Sequence, residues 1–237
     1  MNPILMTLLI VAGLAVFIRT MAGKIKLLAA LEPAGGRLDH VGRRIKELLV
    51  VAIGQKRLVG RKKERASGIM HALIFWGFCI LLIRSLNLYG MGFVEGFELP
   101  LLGEDTILGY LYMGLKDITE LVVLVMVVYA VARRAVIKPA RLHNTREAYL
   151  ILVLIGVLMV SDLLFDAARF HLVSVHGNPD GIHYFNNPAF GSEFAWTPVS
   201  SSAAFLISGL PAHSAAGLMR SMFWVHIATQ IGRASCR

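Results

Sequence analysis

Two histidines lie inside apolar segments of this sequence, His71 in RASGIMHALIFWGFCILL and His226 in SMFWVHIATQ. An ionisable side chain in such a segment is energetically costly and usually has a specific role. Imidazole nitrogen can ligate iron, and a bis-histidine haem requires two helices that each present one histidine. The pattern therefore makes His71 and His226 candidate axial haem ligands. The alternative is that each histidine forms hydrogen bonds between helices, as polar residues in membranes often do.

The residues around His71 suit a planar ring, and its depth bears on how haem is shared. Gly68 and Ala72 are expected to leave room for the ring, and Phe75 and Phe78 to line it. At about 1.5 Å of rise per residue, His71 lies about 5 Å inside one membrane boundary. His226 lies about 16 Å from the other boundary, a mismatch of about 9 Å. Helix tilt brings both to one haem, or each serves a different haem.

Charged residues also occur inside apolar segments. LKDITE places Lys116, Asp117 and Glu120 within about one turn of a helix. Lys116 and Glu120 are four residues apart and are predicted to neutralise each other, because side chains at that spacing meet on one helix face. The alternative is that this group forms part of a proton path.

A second charged group lies in SDLLFDAAR, with Asp162, Asp166 and Arg169. Arg169 and Arg84 are expected near the same membrane face, where either could pair with a haem propionate. The simpler interpretation is that both guanidinium groups reach the interface by snorkelling. The histidines His171, His176 and His183 lack tight metal-ligand spacing and are interpreted as solvated surface residues that flank a quinol pocket.

Composition places the chain among membrane proteins. Of its 237 residues, 56% are hydrophobic and 16% are charged. This favours an all-α polytopic membrane helical bundle, since each span needs about 20 apolar residues. Cys79 lies in an apolar run, so no cysteine cluster for zinc or an iron–sulfur centre is expected within residues 1–229.

Five membrane spans are predicted, the last one truncated. They cover residues 4–17, 68–88, 106–132, 148–165 with a possible extension to 170, and a segment beginning near residue 215. HVGRRIKELLVVAI carries one apolar face and is predicted to be an interfacial amphipathic helix. SSAAFLISGLPAHSAAG is too short and too interrupted by Gly and Pro to span, and is expected at the surface.

The charge pattern gives a topology. Seventeen of the 24 Lys and Arg residues fall in two segments, 24–65 and 133–146. Residues 89–105 and 171–198 contain none. Because basic loops stay in the cytoplasm, the N-terminus is predicted to be periplasmic in a bacterial plasma (inner) membrane. The net charge of +9 is thus explained by topology rather than by nucleic-acid binding.

Several stretches resemble a known family. RASGIMHALIFWGFCILL resembles the second-helix signature of nitrate-reductase-gamma-like cytochrome b domains. The resemblance is closer still to the family in which this domain is fused to a heterodisulfide-reductase-related iron–sulfur module. That resemblance is carried by GQKRLVGRKKERASGIMH, the WGF that follows the histidine and the later FWVH. The resemblance implies a membrane haem b protein that passes electrons between quinone or quinol and a cytoplasmic iron–sulfur or electron-transferring flavoprotein partner.

The sequence departs from that pattern in its histidines. The gamma subunit uses two histidines on each of two helices for two haems, whereas the second span here carries only His71. The fused family has further histidines and iron–sulfur cysteines after the segment that contains WVH. One or two haems b are therefore expected, and an iron–sulfur cluster only in a missing C-terminal part. By itself the chain is expected to be a catalytically incomplete membrane part of a quinone-linked oxidoreductase.

The last eight residues are interpreted as a translated sequencing adapter rather than as part of the protein. Residues 230–237 can be encoded by CAG ATC GGA AGA GCG TCG TGT AGG, which from its second letter matches a widely used short-read sequencing adapter. Residues 1–229 are therefore expected to be the haem b membrane domain, and Cys236 is excluded from its chemistry. The last helix is expected to stop where this string begins.

A function of a different class remains open. The chain could be a small non-redox membrane transporter or scaffold whose histidines are structural. Transporters often have repeated halves and broken midplane helices, and no internal repeat is visible in this sequence.

The predicted topology can be tested by cysteine labelling from the periplasmic side. We expect a cysteine introduced as Asp180→Cys to react with an impermeant reagent, because residues 171–198 form a base-free loop. Labelling of Lys62→Cys from that side would show that the orientation is wrong.

Overall fold

The computed structural model describes residues 2–31, 39–60, 65–94, 96–103, 106–138, 145–176 and 196–234. Within these ranges all regular secondary structure is helical, with no strand, which confirms the all-α membrane bundle. The long helices are α1 (Pro3–Ala29), α4 (Arg65–Phe93), α5 (Ile107–Ala132), α6 (Arg146–His176) and α8 (Ala212–Ala234). The short helices are α2 (Val41–Leu48), α3 (Lys56–Val59) and α7 (Pro198–Leu206).

Three helices in the described part of the chain are long and apolar enough to cross a membrane. They are α1, α4 and the first 28 residues of α6. Helices α5 and α8 have 26 and 23 residues, and about 1.5 Å per residue gives each enough length to cross. Helix α5 carries three charged residues near its middle, and α8 is less hydrophobic. Five spans therefore remain a prediction, of which three are supported by both length and composition.

Helix α6 is the centre of the packing. It contacts α5, α7 and α8, while α4 packs on α5, and α1 lies against α8 and α4. One buried apolar cluster joins α6 to α8 around Phe165 and Phe223, whose ring centroids are 6.1 Å apart. A second cluster joins α4, α5 and α6 around Leu81, Val123 and Met159. A Cβ at Gly77 would lie 2.2 Å from a Val123 methyl carbon, so this glycine permits the close approach of α4 to α5.

The two ends of the bundle differ in charge. At the basic end lie the start of α4, the end of α5 and the start of α6, with Arg65, Arg133, Arg134 and Arg146. At the base-free end lie the end of α4, the start of α5 and α7. The candidate site residues are distributed between these two ends.

Helix α1 presents most of its apolar side chains outward. Ile4 and Leu8 are 72% and 62% exposed, while Met6 is fully buried against the bundle. Asn2 caps the helix by accepting hydrogen bonds from the backbone of Ile4 and Leu5. Such a wide apolar surface is expected to face lipid.

The predicted amphipathic helix is present as α2, which continues into a π-helical turn, Leu49–Ile53. The predicted end of the last helix is wrong, since α8 continues to Ala234. Ile231 packs on α1, close to Gly13. The residues that extend the helix beyond its predicted end are compatible with helical structure. This finding concerns the helix boundary only; the adapter origin of residues 230–237 stays a prediction.

Helix α7 lies within the stretch that was expected at the surface. One side is indeed exposed, with Phe205 at 68% and Leu206 at 88%. The other side is docked by Asp117, whose carboxylate accepts hydrogen bonds from the backbone N–H of Val199 and Ser200 at 2.6 and 2.9 Å. The hydroxyl of Ser200 donates a third bond at 2.5 Å. A buried carboxylate thus holds the N-terminus of α7 on α5.

Asp117→Ala is expected to loosen α7 from the bundle. Losing charge-assisted hydrogen bonds should lower the local opening free energy by about 2–3 kcal/mol, which corresponds to amide exchange about 30- to 150-fold faster. Hydrogen exchange at residues 199–206 measures this. Ser202→Ala is the control, because its hydroxyl donates to the Pro198 carbonyl on the exposed side. Equal exchange in the two variants would contradict the docking role.

Candidate functional site

A cluster of charged side chains lies buried between α4, α5 and α6. Arg84 donates from Nε to Asp162 at 3.2 Å and from Nη2 to Asp166 at 2.7 Å. Lys116 donates to Asp166 as well, and its Nζ lies 3.1 Å from Oε1 of Glu120. The sixth member, Arg169, has its Nε 3.9 Å from Asp166. We refer to these six residues as the ion cluster.

The ion cluster is shielded from solvent and balanced in charge. No member's side chain is more than 6% exposed. Three cations face three carboxyl groups, which is how buried charges are usually accommodated. Arg84 lies 5.6 Å from the ring centroid of Phe165, and Arg169 lies 5.4 Å from that of Phe170. These rings close the apolar side of the cluster and add cation–π attraction.

Several sequence-based predictions can be compared with the cluster. The predicted pairing of Lys116 with Glu120 is present. Snorkelling is wrong for Arg84 and Arg169, which are 3% and 5% exposed, because carboxylates inside the bundle neutralise them. Pairing of either arginine with a haem propionate stays a prediction. The sequence showed two separate charged groups, and only helix packing unites them, through the contact of Lys116 with Asp166.

His226 lies in the core of α8. It is 4% exposed, and its Nδ1 lies 3.1 Å from the Leu158 carbonyl of α6 and 3.2 Å from the Ser161 hydroxyl. A carbonyl can only accept, so the Leu158 contact assigns the ring proton to Nδ1. Nε2 lies 2.8 Å from the Gln230 amide nitrogen, which can therefore donate to it.

His226 and Asp162 line a cavity of about 230 Å³ between α4, α6 and α8. Its other lining residues are mostly apolar, including Phe78, Leu81, Tyr89 and Met159. We call it the His226 cavity. The imidazole therefore has one nitrogen fixed by the backbone and the other in contact with Gln230, and the residue lines a space next to the ion cluster.

His71 lies nearer the basic end and lines a larger cavity of about 530 Å³. Phe75 and Phe78 line this His71 cavity, as expected, together with Arg133 and Arg134 at the end of α5. Arg133 donates to the Ser67 hydroxyl at 3.2 Å. The imidazole itself is exposed in the isolated chain.

Gly68 lines the His71 cavity, as expected, and it also permits a close helix contact. A Cβ there would lie 2.1 Å from the backbone oxygen of Leu58. The missing side chain therefore lets the backbone of α3 pack on α4.

The structure does not bring the two histidines together. They line different cavities, which have Phe78 in common, and each cavity has one histidine among the described residues that line it. The level of Ser161, which contacts His226, is six residues along α6 from Ile155 in the His71 cavity, or about 9 Å of helix. This arrangement favours separate sites over one shared iron.

The residues present fit haem ligation in part. The fixed Nδ1 proton leaves Nε2 of His226 as a potential ligand, which is the usual orientation of a metal-binding histidine. The His71 cavity combines an imidazole, two aromatic rings and two arginines. Within the described ranges, no three His, Cys, Asp or Glu side chains are grouped to hold a metal ion. Haem needs only one histidine per side, so that finding does not bear on it.

One of the remaining histidines does not match the solvated residue that was expected. His171 is 1% exposed, and its Nε2 lies 2.9 Å from the Leu210 carbonyl. Its solvated interpretation is wrong, because α6 continues past the predicted span and carries this residue under the α7–α8 connection. The side chain of His176 and all of His183 lie outside the described residues.

Over 199 residues the chain is 28% identical to the Bacillus subtilis (strain 168) protein named "Probable iron-sulfur-binding oxidoreductase FadF". The alignment covers 81% of this chain and 24% of that protein, so the chain spans about a quarter of the length of the relative. No protein-family model matches the chain, and no solved structure matches it.

Arg84→Ala is expected to destabilise the fold strongly. It would leave Asp162 and Asp166 short of a buried partner, and breaking such a pair typically removes about 3–5 kcal/mol. Thermal unfolding in detergent measures the loss. Arg43→Ala is the control, since Arg43 pairs with Glu47 where both side chains are more than 60% exposed and the expected loss is below about 1 kcal/mol. Similar losses in the two variants would contradict the structural role of the cluster.

Proposed function

We propose that this chain is the haem b membrane domain of an oxidoreductase. It would pass electrons between the quinone pool and a cytoplasmic iron–sulfur or electron-transferring flavoprotein partner. The relative is named as an iron–sulfur-binding oxidoreductase, which supports a general role in electron transfer. The observation that carries the haem assignment is the geometry of His226.

His226 is suited to hold iron because its two ring nitrogens have different hydrogen-bond partners. Nδ1 is held by the Leu158 carbonyl, which fixes the ring and raises the basicity of the opposite nitrogen. Nε2 is directed to the other side of the ring, where its contact is Gln230. Gln230 is the first residue of the adapter-like string. We therefore propose Nε2 of His226 as one axial ligand position.

His71 is proposed as the axial ligand of a second haem. Its cavity lies at the basic end, where Arg133 and Arg134 line the wall. Both arginines can form bidentate bonds to carboxylates, as haem propionates require. They are better placed for that role than Arg84 and Arg169, whose guanidinium groups face carboxylates of the ion cluster. Bound haem would supply one-electron redox chemistry at both levels of the bundle.

The iron–sulfur partner is proposed to lie outside this chain. The region aligned to this chain is 24% of the relative, which leaves most of the relative for iron–sulfur binding. In the proposed topology the basic end faces the cytoplasm and the partner, with the N-terminus periplasmic in a bacterial plasma membrane. The His71 site would then be nearer the partner, and the His226 site nearer the middle of the bilayer.

A second candidate function is a non-redox membrane protein with structural histidines. The contacts of His226 with Leu158 and Ser161 favour it, because they already satisfy one side of the ring. The His71 cavity argues against it, since a structural histidine has no need of a large space lined by arginines.

The haem proposal is tested by reduced-minus-oxidised spectra of the full-length protein with His71→Ala and His226→Ala. Each variant is expected to lose one low-spin b-type signal, because each imidazole serves its own iron. His213→Ala is the control, because His213 is exposed at the start of α8 and lines neither cavity. Wild-type spectra in both test variants would reject the assignment and favour structural histidines.

A further inference from the structure

Glu120 is a member of the ion cluster whose charge is incompletely matched. Its side chain is fully buried, and neither carboxyl oxygen accepts a hydrogen bond from the part of the chain that the structure describes. The ammonium of Lys116 lies 3.1 Å from Oε1, as an ion pair outside hydrogen-bond geometry. A buried carboxyl group without hydrogen bonds is costly in its ionised form.

The Asp162 carboxyl group lies within hydrogen-bonding reach of Glu120. Two ionised carboxylates repel each other because both are negatively charged. Neither can donate a hydrogen bond to the other, so nothing offsets the repulsion. A single proton placed between them removes the repulsion and makes a short O–H···O bond. Asp162 already accepts from Arg84, which favours its ionised form and leaves the proton on Glu120.

The charged groups around Glu120 are compatible with two protonation states. Arg84 faces it from α4, Asp162 and Asp166 from α6, and Lys116 from its own helix. Helix α7, which packs on α5, has no ionisable side chain. With Glu120 ionised the cluster is neutral, and with Glu120 protonated it carries one positive charge. The group can therefore change its protonation without leaving a large unbalanced charge.

Neighbours of Glu120 in the ion cluster line two separate spaces. On one side Asp162 lines the His226 cavity. On the other side Lys116 and Asp166 line a chamber of about 20 Å³ near the base-free end. That volume is enough for about one water molecule. We call it the outer chamber; Asn87, Tyr112 and Thr197 also line it.

The outer chamber offers polar partners for a water molecule. Oδ1 of Asn87 is buried there and has no hydrogen-bond partner among the described residues. Leu99 and Leu102, from the connection between α4 and α5, form the wall nearest the base-free end. The chamber thus offers room for a water molecule between the ion cluster and that surface.

From this arrangement we infer that Glu120 carries protons between the His226 cavity and the outer chamber. The inference rests on the proposed function for the source of the proton, the hydroxyl group of a quinol that is oxidised beside the haem that His226 would hold. Oxidation of a quinol to a quinone releases two electrons and two protons. The two electrons would pass one at a time to the proposed haem b groups, and the protons pass one at a time through the Glu120–Asp162 pair to water in the outer chamber. Reduction of a quinone runs the same steps in reverse.

The first test is infrared spectroscopy of the wild-type full-length protein in lipid, without any quinone. A carbonyl stretch of a protonated buried carboxylic acid is expected near neutral pH, and Glu120→Gln is expected to remove it. Glu147→Gln is the matched control, because the same change is made at an exposed position on α6. Absence of the band in the wild type overturns the inference even if Glu120→Gln does not fold. Persistence of the full band in Glu120→Gln overturns it as well.

The second test measures proton release in proteoliposomes during oxidation of a soluble quinol analogue, with a pH indicator on the base-free side. Glu120→Gln is expected to slow release on the order of 10²-fold, as for loss of a proton-transfer group. Its dithionite-reduced spectrum should keep every signal of the wild type. Glu120→Asp should restore part of the rate, and Glu147→Gln should release protons at the wild-type rate.

The outcomes separate this inference from the proposed function. Unchanged proton release in Glu120→Gln, with quinol oxidation intact, overturns the proton role and leaves the haem domain standing. A wild-type protein that contains no haem removes the proposed function. In that case the infrared band still decides whether Glu120 holds a proton, and its absence overturns the inference.

Discussion

The salt bridges from Arg84 to Asp162 and Asp166 join α4 to α6 through the interior of the bundle, and Lys116 joins α5 to Asp166. Charges buried in this way must be paired, since an unpaired ion in an apolar interior is strongly unfavourable. The relative positions of three helices are therefore constrained by one set of contacts. Apolar packing on either side of the cluster, around Phe165 and around Val123, is compatible with that arrangement.

The ion cluster also separates the cavities in the interior of the bundle. The His71 cavity lies at the basic end, and the His226 cavity lies beside Asp162. Beyond the cluster, toward the base-free end, is the outer chamber. In the proposed function, a haem beside this group of charges would be coupled to proton transfer without exposure to bulk water. The proposals for haem and for Glu120 therefore depend on the same arrangement of α4, α5 and α6.

Asp117 shows how neighbouring residues in one helix can have unrelated roles. Lys116 points into the ion cluster, whereas Asp117 is turned toward α7 and holds its N-terminal backbone. Adjacent positions on a helix differ by about 100° in direction, so they reach different partners. The short helix is consequently fixed to the bundle by polar contacts, while Phe205 and Leu206 stay exposed on its other side.

The sequence by itself determined the helical membrane class, because long apolar runs in a bilayer must satisfy their backbone hydrogen bonds as helices. It also determined the pairing of Lys116 with Glu120, since contacts between residues four apart are local. Only the tertiary structure decided that Arg84 meets Asp162 and Asp166, which are 78 and 82 residues away. It likewise decided that the α3 backbone packs against Gly68 and that His171 is buried. Those contacts depend on helix rotation and on the path of connecting segments, which apolar periodicity does not specify.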